Sequence, residues 1–261
     1  MITLDSGLTI TNSTFSIVLS HQEPARVILA VPHDGLIKND FSDLFQERKH
    51  GWHGRDVHVW PIANDVVQKC LRLGTRVDAV RFLMARAYID ANRELPSDNN
   101  LDSDILGQTA LEDRRLISVY RHYHRELCQL VERSITAFGA QRVLFVDLHG
   151  FGKQPGIAQP EGYDLILGTA NRSSIHHGEV DRAFAKFIEE RGYRVFLPGE
   201  KPIIPQGDPY SAGHTTRWYA GRYSINAIQI EVSSMFRKRE NKEQGERLAT
   251  DIAEFFSRNY V

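Results

Sequence analysis

Two short segments carry the residue types of a metal site. Val31-Pro32-His33-Asp34-Gly35 and Asp147-Leu148-His149-Gly150 each set a histidine after an apolar run, where a strand should end and a glycine turn begin. Neutral imidazole is the commonest protein ligand for zinc, and the carboxyl ends of strands in an open α/β sheet form the usual crevice for ligands. A hydrolytic zinc site takes three protein ligands and keeps one position for water, so a third donor must come from elsewhere in the chain. Asp56, in Gly54-Arg55-Asp56-Val57-His58, is the nearest attractive carboxylate, and Asp34, His53 and His58 compete with it. Asp147, two residues before His149, is placed either to support that histidine or to cap the adjoining turn.

Two other groups add to this chemistry. Glu231 lies in the otherwise apolar run Ala227-Ile228-Gln229-Ile230-Glu231-Val232. An ionised carboxylate there is costly unless it is paired or faces a polar cleft, which makes Glu231 a candidate general base beside a metal-activated water. The segment Ala85–Glu94 concentrates Arg86, Asn92 and Arg93 with Asp90 and Glu94. The planar fork of arginine suits bidentate capture of a carboxylate, and asparagine adds a donor; a solvated charged face is the competing reading.

The elements that must hold these residues alternate between strand and helix. Arg26–Val31, Arg142–Val146 and Tyr163–Leu167 read as strands buried on both faces, with further strands at Tyr193–Leu197 and Asn226–Val232. Ile62–Leu73, Leu111–Phe138, Asp181–Arg191 and Lys242–Tyr260 place apolar residues at helical spacing, and Gly139 and Gly192 suit helix ends. Pro198-Gly199 breaks the chain after the fourth strand. The expected fold is α/β: a three-layer αβα sandwich on a mixed, mostly parallel sheet. With no Pro- or Gly/Ser-rich linker, residues 1–261 read as a single domain. Two polar stretches, Leu95–Gln108 and Phe151–Glu161, are long enough to pass over the sheet edge as lids.

Composition narrows the function. Hydrophobic residues at 41% and charged residues at 25% suit a globular protein with a sizeable core. A formal net charge of −1 supplies no field to gather nucleic acid or anionic lipid, so a small-molecule substrate is the expected partner. The two cysteines, Cys70 and Cys128, fall in helical segments and read as reduced thiols. No leader and no membrane-length apolar run is evident, and a cytoplasmic protein is expected. An Asp-x-His after a strand also opens metal phosphoesterase sites, but the Gly-Asn-His and Gly-His-x-His elements of such sites are absent.

Assembled in order, these motifs resemble the N-formylglutamate amidohydrolase family, related to zinc carboxypeptidases and aspartoacylases. The carriers are Pro32-His33-Asp34-Gly35, Arg86 with Asp90-Ala91-Asn92-Arg93, Tyr123-His124, Asp147-Leu148-His149-Gly150, Asp164 through Gly168, and Gln229-Ile230-Glu231. The resemblance implies a zinc-exopeptidase-like fold and hydrolysis of an amide beside a free carboxylate, as in an N-acyl amino acid such as N-formyl-L-glutamate. It implies that His33, Asp56 and His149 hold the metal, zinc or another divalent ion. It also implies that Glu231 activates water, that Arg86 stabilises the oxyanion, and that Asn92 and Arg93 hold the substrate carboxylate. Gly213 falls in the family's glycine-containing loop. There Ser211-Ala212-Gly213-His214 stands where the family has a Gly-Gly pair and an aromatic residue, which marks His214 as a position where substrate choice would differ. The family's His-Ser-Gly and Asp-x-His-Ser also stand here as His33-Asp34-Gly35 and His149-Gly150. A carboxypeptidase-like or non-catalytic member that binds a carboxylate-bearing ligand is the competing expectation.

Overall fold

Unbroken aliphatic runs form the middle of a sheet because both of their faces are covered. The computed structural model describes residues 1–3, 7–38, 44–96, 109–152, 162–197 and 210–261. Within them, nine strands form one sheet: β1 Ile2–Thr3, β2 Leu8–Asn12, β3 Ser16–His21, β4 Val27–Val31, β5 Val77–Phe82, β6 Leu144–Phe151, β7 Leu165–Gly168, β8 Val195–Phe196 and β9 Asn226–Ser233. Their order is β1-β2-β3-β5-β4-β6-β9-β7-β8. The central pairings, β5 with β4, β4 with β6 and β6 with β9, are parallel. Antiparallel pairings flank them, through β3 with β5 on one side and β7 with β9 on the other.

Among the described residues, five helices cover the sheet: α1 Val59–Arg72, α2 Ile117–Phe138, α3 Val180–Glu189, α4 His214–Tyr223 and α5 Lys242–Asn259. Successive side chains of a strand point to opposite faces, and the two cores divide accordingly. Val27, Leu29, Val31, Val146 and Ile230 pack with Val66 of α1, Phe184 of α3 and Leu248 and Phe256 of α5. Ile28, Ala30, Phe145 and Ala227 pack on the other side with Tyr123 and Leu127 of α2 and Tyr219 of α4. The result is the expected αβα sandwich.

Boundaries differ in informative places. His149-Gly150 is not a strand end: β6 continues to Phe151, because Gly150 and Phe151 pair with Val232 and Ser233 of β9. Periodicity assigns none of β1, β2, β3, β5 and α4. Helix α4, His-Thr-Thr-Arg-Trp-Tyr-Ala-Gly-Arg-Tyr, is mostly polar with little apolar stripe, and it is seated by the burial of Thr215, Thr216, Tyr219 and Ala220. Most of the two expected lids, residues 97–108 and 153–161, lies outside the described residues, as do Pro198-Gly199 and Pro209. Both thiols are free, and burial pushes that of Cys70 up to about 12. No described helix is long and apolar enough to cross a membrane.

Candidate active site

The parallel register of β6 and β9 makes His149 and Glu231 direct partners, so both side chains rise from the face shared with α2 and α4. His33 follows β4, the neighbour of β6, by two residues. Asp56 lies in the turn before α1, where its N–H donates to the carbonyl of His33 at 2.9 Å. These contacts gather His33, Asp56 and His149, all buried, so that one potential ligand atom of each lies within 4.8 Å of the others.

Neighbouring carboxylates aim the imidazoles. Nε2–H of His33 donates to Oδ1 of Asp90 at 2.7 Å. Its Nδ1 is then left with a lone pair 3.6 Å from Oδ2 of Asp56 and, though buried, has no hydrogen-bond partner. His149 sets Nδ1 3.2 Å from the same Asp56 oxygen, while its Nε2 stands 3.0 Å from Oδ1 of Asp147. An orphaned buried nitrogen facing a second imidazole and a carboxylate is a donor set that could hold a divalent metal, with acidic partners behind both rings. Burial by itself would push the Asp56 carboxyl up, but the hydrogen bond from His149 and the neighbouring His33 imidazole hold it far below the usual carboxylate range. Burial disfavours charge on His149, yet Asp147 and Asp56 raise it well above the usual histidine value.

The competing third ligands are committed elsewhere. Asp34 accepts from Nε of Arg55 at 2.6 Å and from the N–H of Trp60, in the first turn of α1, at 2.7 Å. His53 is exposed and stands outside the cluster. His58 donates through Nδ1 to the carbonyl of Arg237 at 2.7 Å.

Around the cluster, Nε of Arg86 donates to Asp90 at 2.9 Å and its Nη1 lies 4.0 Å from Asp56. Asn92 reaches His149 with its amide nitrogen at 3.2 Å, and its Oδ1 accepts the Thr215 N–H at the start of α4. A Cβ at Gly213 would fall 2.1 Å from the Asn92 amide, so any side chain there would displace it. Its N–H donates to Oε1 of Gln229, whose Nε2 donates to Oε1 of Glu231 at 2.9 Å. Burial raises the Glu231 carboxyl to about 7, against the lowering effect of His149. Arg93 donates to the carbonyl of Asn92 at 2.8 Å. Burial lowers His214, which has Glu94, Arg217 and Arg93 near it, below the usual histidine value.

One buried cation of this region carries no sequence signal. Arg48, 3% exposed, lies 3.5 Å from Asp90 and donates to the carbonyls of Thr109, Trp52 and Arg86. It precedes an irregular segment with no periodicity to place it. Gln229 is legible only as the residue two before Glu231 on the same face of its strand.

The molecule is a three-layer α/β protein with a buried His-Asp-His cluster able to hold a metal ion. The profile of the N-formylglutamate amidohydrolase family matches residues 25–236, and the chain belongs to that family. It is therefore a hydrolase acting on an amide bond. Among solved structures it is similar to N-formylglutamate amidohydrolase from Ralstonia eutropha, with a TM-score of 0.67 and 19% identity over 94% of this chain and 99% of that one. A gene product of Agrobacterium tumefaciens gives 0.66 and 17% over 95% of each chain. A metallo-carboxypeptidase from Burkholderia cenocepacia shares the fold at 0.50 and 11%, over 97% of this chain and 64% of that one. No curated protein sequence matches the chain.

Proposed function

We propose that this chain hydrolyses the amide of an N-acyl amino acid, with N-formyl-L-glutamate as the first candidate, using a divalent metal, zinc in the first instance. The reading takes residues 1–261 as one catalytic domain, since every candidate residue is gathered over a single sheet. The observation that carries it is the buried, unpartnered Nδ1 of His33 directed at Asp56 beside His149. His33, Asp56 and His149 would hold the ion. When bound, the ion supplies Lewis acidity, making water more acidic and an amide carbonyl more electrophilic.

Glu231 takes a proton from the attacking water and returns it to the departing nitrogen, so that the C–N bond breaks to give a carboxylic acid and a free amine. Gln229 orients that carboxylate through its hydrogen bond. Arg86, its charge balanced by Asp90 and Asp56, stands ready for the oxyanion. Asn92 and Arg93 hold the substrate carboxylate, with Gly213 and His214 forming the neighbouring wall.

The test is metal content of the protein purified without added metal, followed by hydrolysis of N-formyl-L-glutamate and other N-acyl amino acids. About one ion per chain, lost in His149→Ala, together with release of the amine supports the reading. A chain that takes up no added zinc overturns the mechanism, and a metal-loaded chain that binds N-acyl amino acids without turnover is the non-catalytic member.

Two further results are expected. Asp147 and Asp56 favour the protonated form of His149 in the metal-free protein, so metal uptake is expected to displace its Nδ1 proton. Apparent zinc affinity therefore rises as pH rises from 6 to 8, by up to about tenfold per unit, and calorimetry in two buffers of different ionisation enthalpy shows proton release. Affinity flat across that range removes the protonated His149 from the picture. Arg93→Ala is expected to raise KM about 10- to 100-fold with a much smaller change in kcat, the loss of one charge-assisted contact to the substrate. An unchanged KM would place the carboxylate elsewhere.

A further inference from the structure

Arg237 lies outside the expected site, and the hydrogen bonds of its guanidinium go to backbone carbonyls. Nε donates to the carbonyl of Val232 at 3.0 Å, Nη2 to that of Phe151 at 2.8 Å, and Nη1 to that of Val57. Val232 follows Glu231, Val57 follows Asp56, and Phe151 stands two residues beyond His149. One rigid fork therefore ties together the three segments that carry the candidate base and two of the three candidate metal ligands. The carbonyl of Arg237 also receives Nδ1–H of His58, a residue held at φ 63° just before α1, which fastens the same turn a second time.

Space for this fork depends on Gly150. A Cβ there would fall 2.4 Å from Cζ of Arg237 and 2.5 Å from its Nε, closer than nonbonded atoms approach. The absent side chain at Gly150 and the arginine therefore fit as a pair. With three of its five N–H donors on carbonyls, the group is fixed where it stands rather than presented to substrate.

We infer that Arg237 is a positioning residue, which locks the Asp56 turn to β6 and β9 and so sets the spacing of the metal ligands and Glu231, with Gly150 as its required partner. The inference rests on the metal-site reading above. Arg and Lys are not equivalent here, because an ammonium cannot span three carbonyls set around a planar fork.

The test is zinc affinity by chelator competition, with circular dichroism and Tm to confirm folding, for Arg237→Met, Arg237→Lys, Gly150→Ala and the Gly150→Ala/Arg237→Met double variant. Loss of a group supporting metal ligands is expected to weaken affinity about 10- to 100-fold. Arg237→Lys should fall between wild type and Arg237→Met. Gly150→Ala should weaken affinity similarly, and the double variant should be no weaker than the poorer single one, since both changes remove the same contact. Amides of residues 54–58 should exchange faster in Arg237→Met than in wild type even without metal. Folded Arg237→Met and Gly150→Ala proteins that bind zinc as tightly as wild type, with unaltered exchange in that segment, overturn the assignment of Arg237 alone. Wild type that takes up no metal overturns both this assignment and the site reading.

Discussion

Glu231→Gln should retain the metal and lose turnover by about two to four orders of magnitude, the range expected when a positioned general base is removed. The substitution keeps the side chain's size and a hydrogen-bonding oxygen for Gln229, so the strand and its register with His149 should survive. What it removes is a carboxylate whose proton affinity suits the task. In the metal-free protein, burial brings Glu231 up to about 7. The base works only when ionised, so kcat/KM of the wild type should fall as pH drops through that group's pKa, and a bound cation should move this acid limb to lower pH. In Glu231→Gln the residual activity should show no such limb. The decisive measurement is kcat for zinc-loaded protein with metal content checked in the same sample: wild-type turnover in Glu231→Gln would end the assignment of this residue as the base.

Asp34→Ala should lower stability by roughly 3 kcal/mol, the cost of breaking a buried charge network by deleting one partner. Asp34 is fully buried, and its carboxylate is shared between Arg55 and the Trp60 N–H at the start of α1. Nη2 of Arg81 lies 3.8 Å from the same carboxylate and donates to the Asp34 carbonyl at 2.7 Å. Removing the carboxylate leaves Arg55 and Arg81 without their shared anion and a helix N–H without an acceptor. In a protein of this size the loss corresponds to a fall in Tm of roughly 6–12 °C, readable by calorimetry on the metal-free chain. Because Arg55 and Trp60 flank Asp56, zinc affinity should fall as well. A Tm within about 2 °C of wild type would show that the network contributes little.

The sequence was informative where chemistry and local periodicity coincide. Uninterrupted aliphatic runs can be satisfied only by a doubly covered strand, so Arg26–Val31 and Asn226–Val232 were legible, and with them the residues at their ends or within them: His33 and Glu231. The amphipathic spacing of Lys242–Tyr260 and Leu111–Phe138 likewise gave helices that appear as α5 and α2. Short edge strands and polar α4 were not legible, because their stability comes from partners distant in the chain rather than from their own pattern. β5, for instance, is set by pairing with β4 on one side and β3 on the other.

The choice among Asp56, Asp34, His53 and His58 shows the division most clearly. All four lie within one stretch of chain around His33 and the start of α1, and each has a side chain able to bind metal. Local sequence does not say which of them arginine, a helix N–H or a backbone carbonyl will occupy. The fold decides: Asp34 is taken by Arg55 and α1, His58 by Arg237, and His53 is left at the surface, while Asp56 faces two imidazoles. Asp56 is held there by the carbonyl of His33 nearby in the chain and by His149 and the Gly150 N–H more than ninety residues on. The sequence by itself determined the kinds of groups available and the strands that carry them. Only tertiary structure decided which groups meet, because hydrogen bonds and charges act through space over a few ångströms, whatever their separation along the chain.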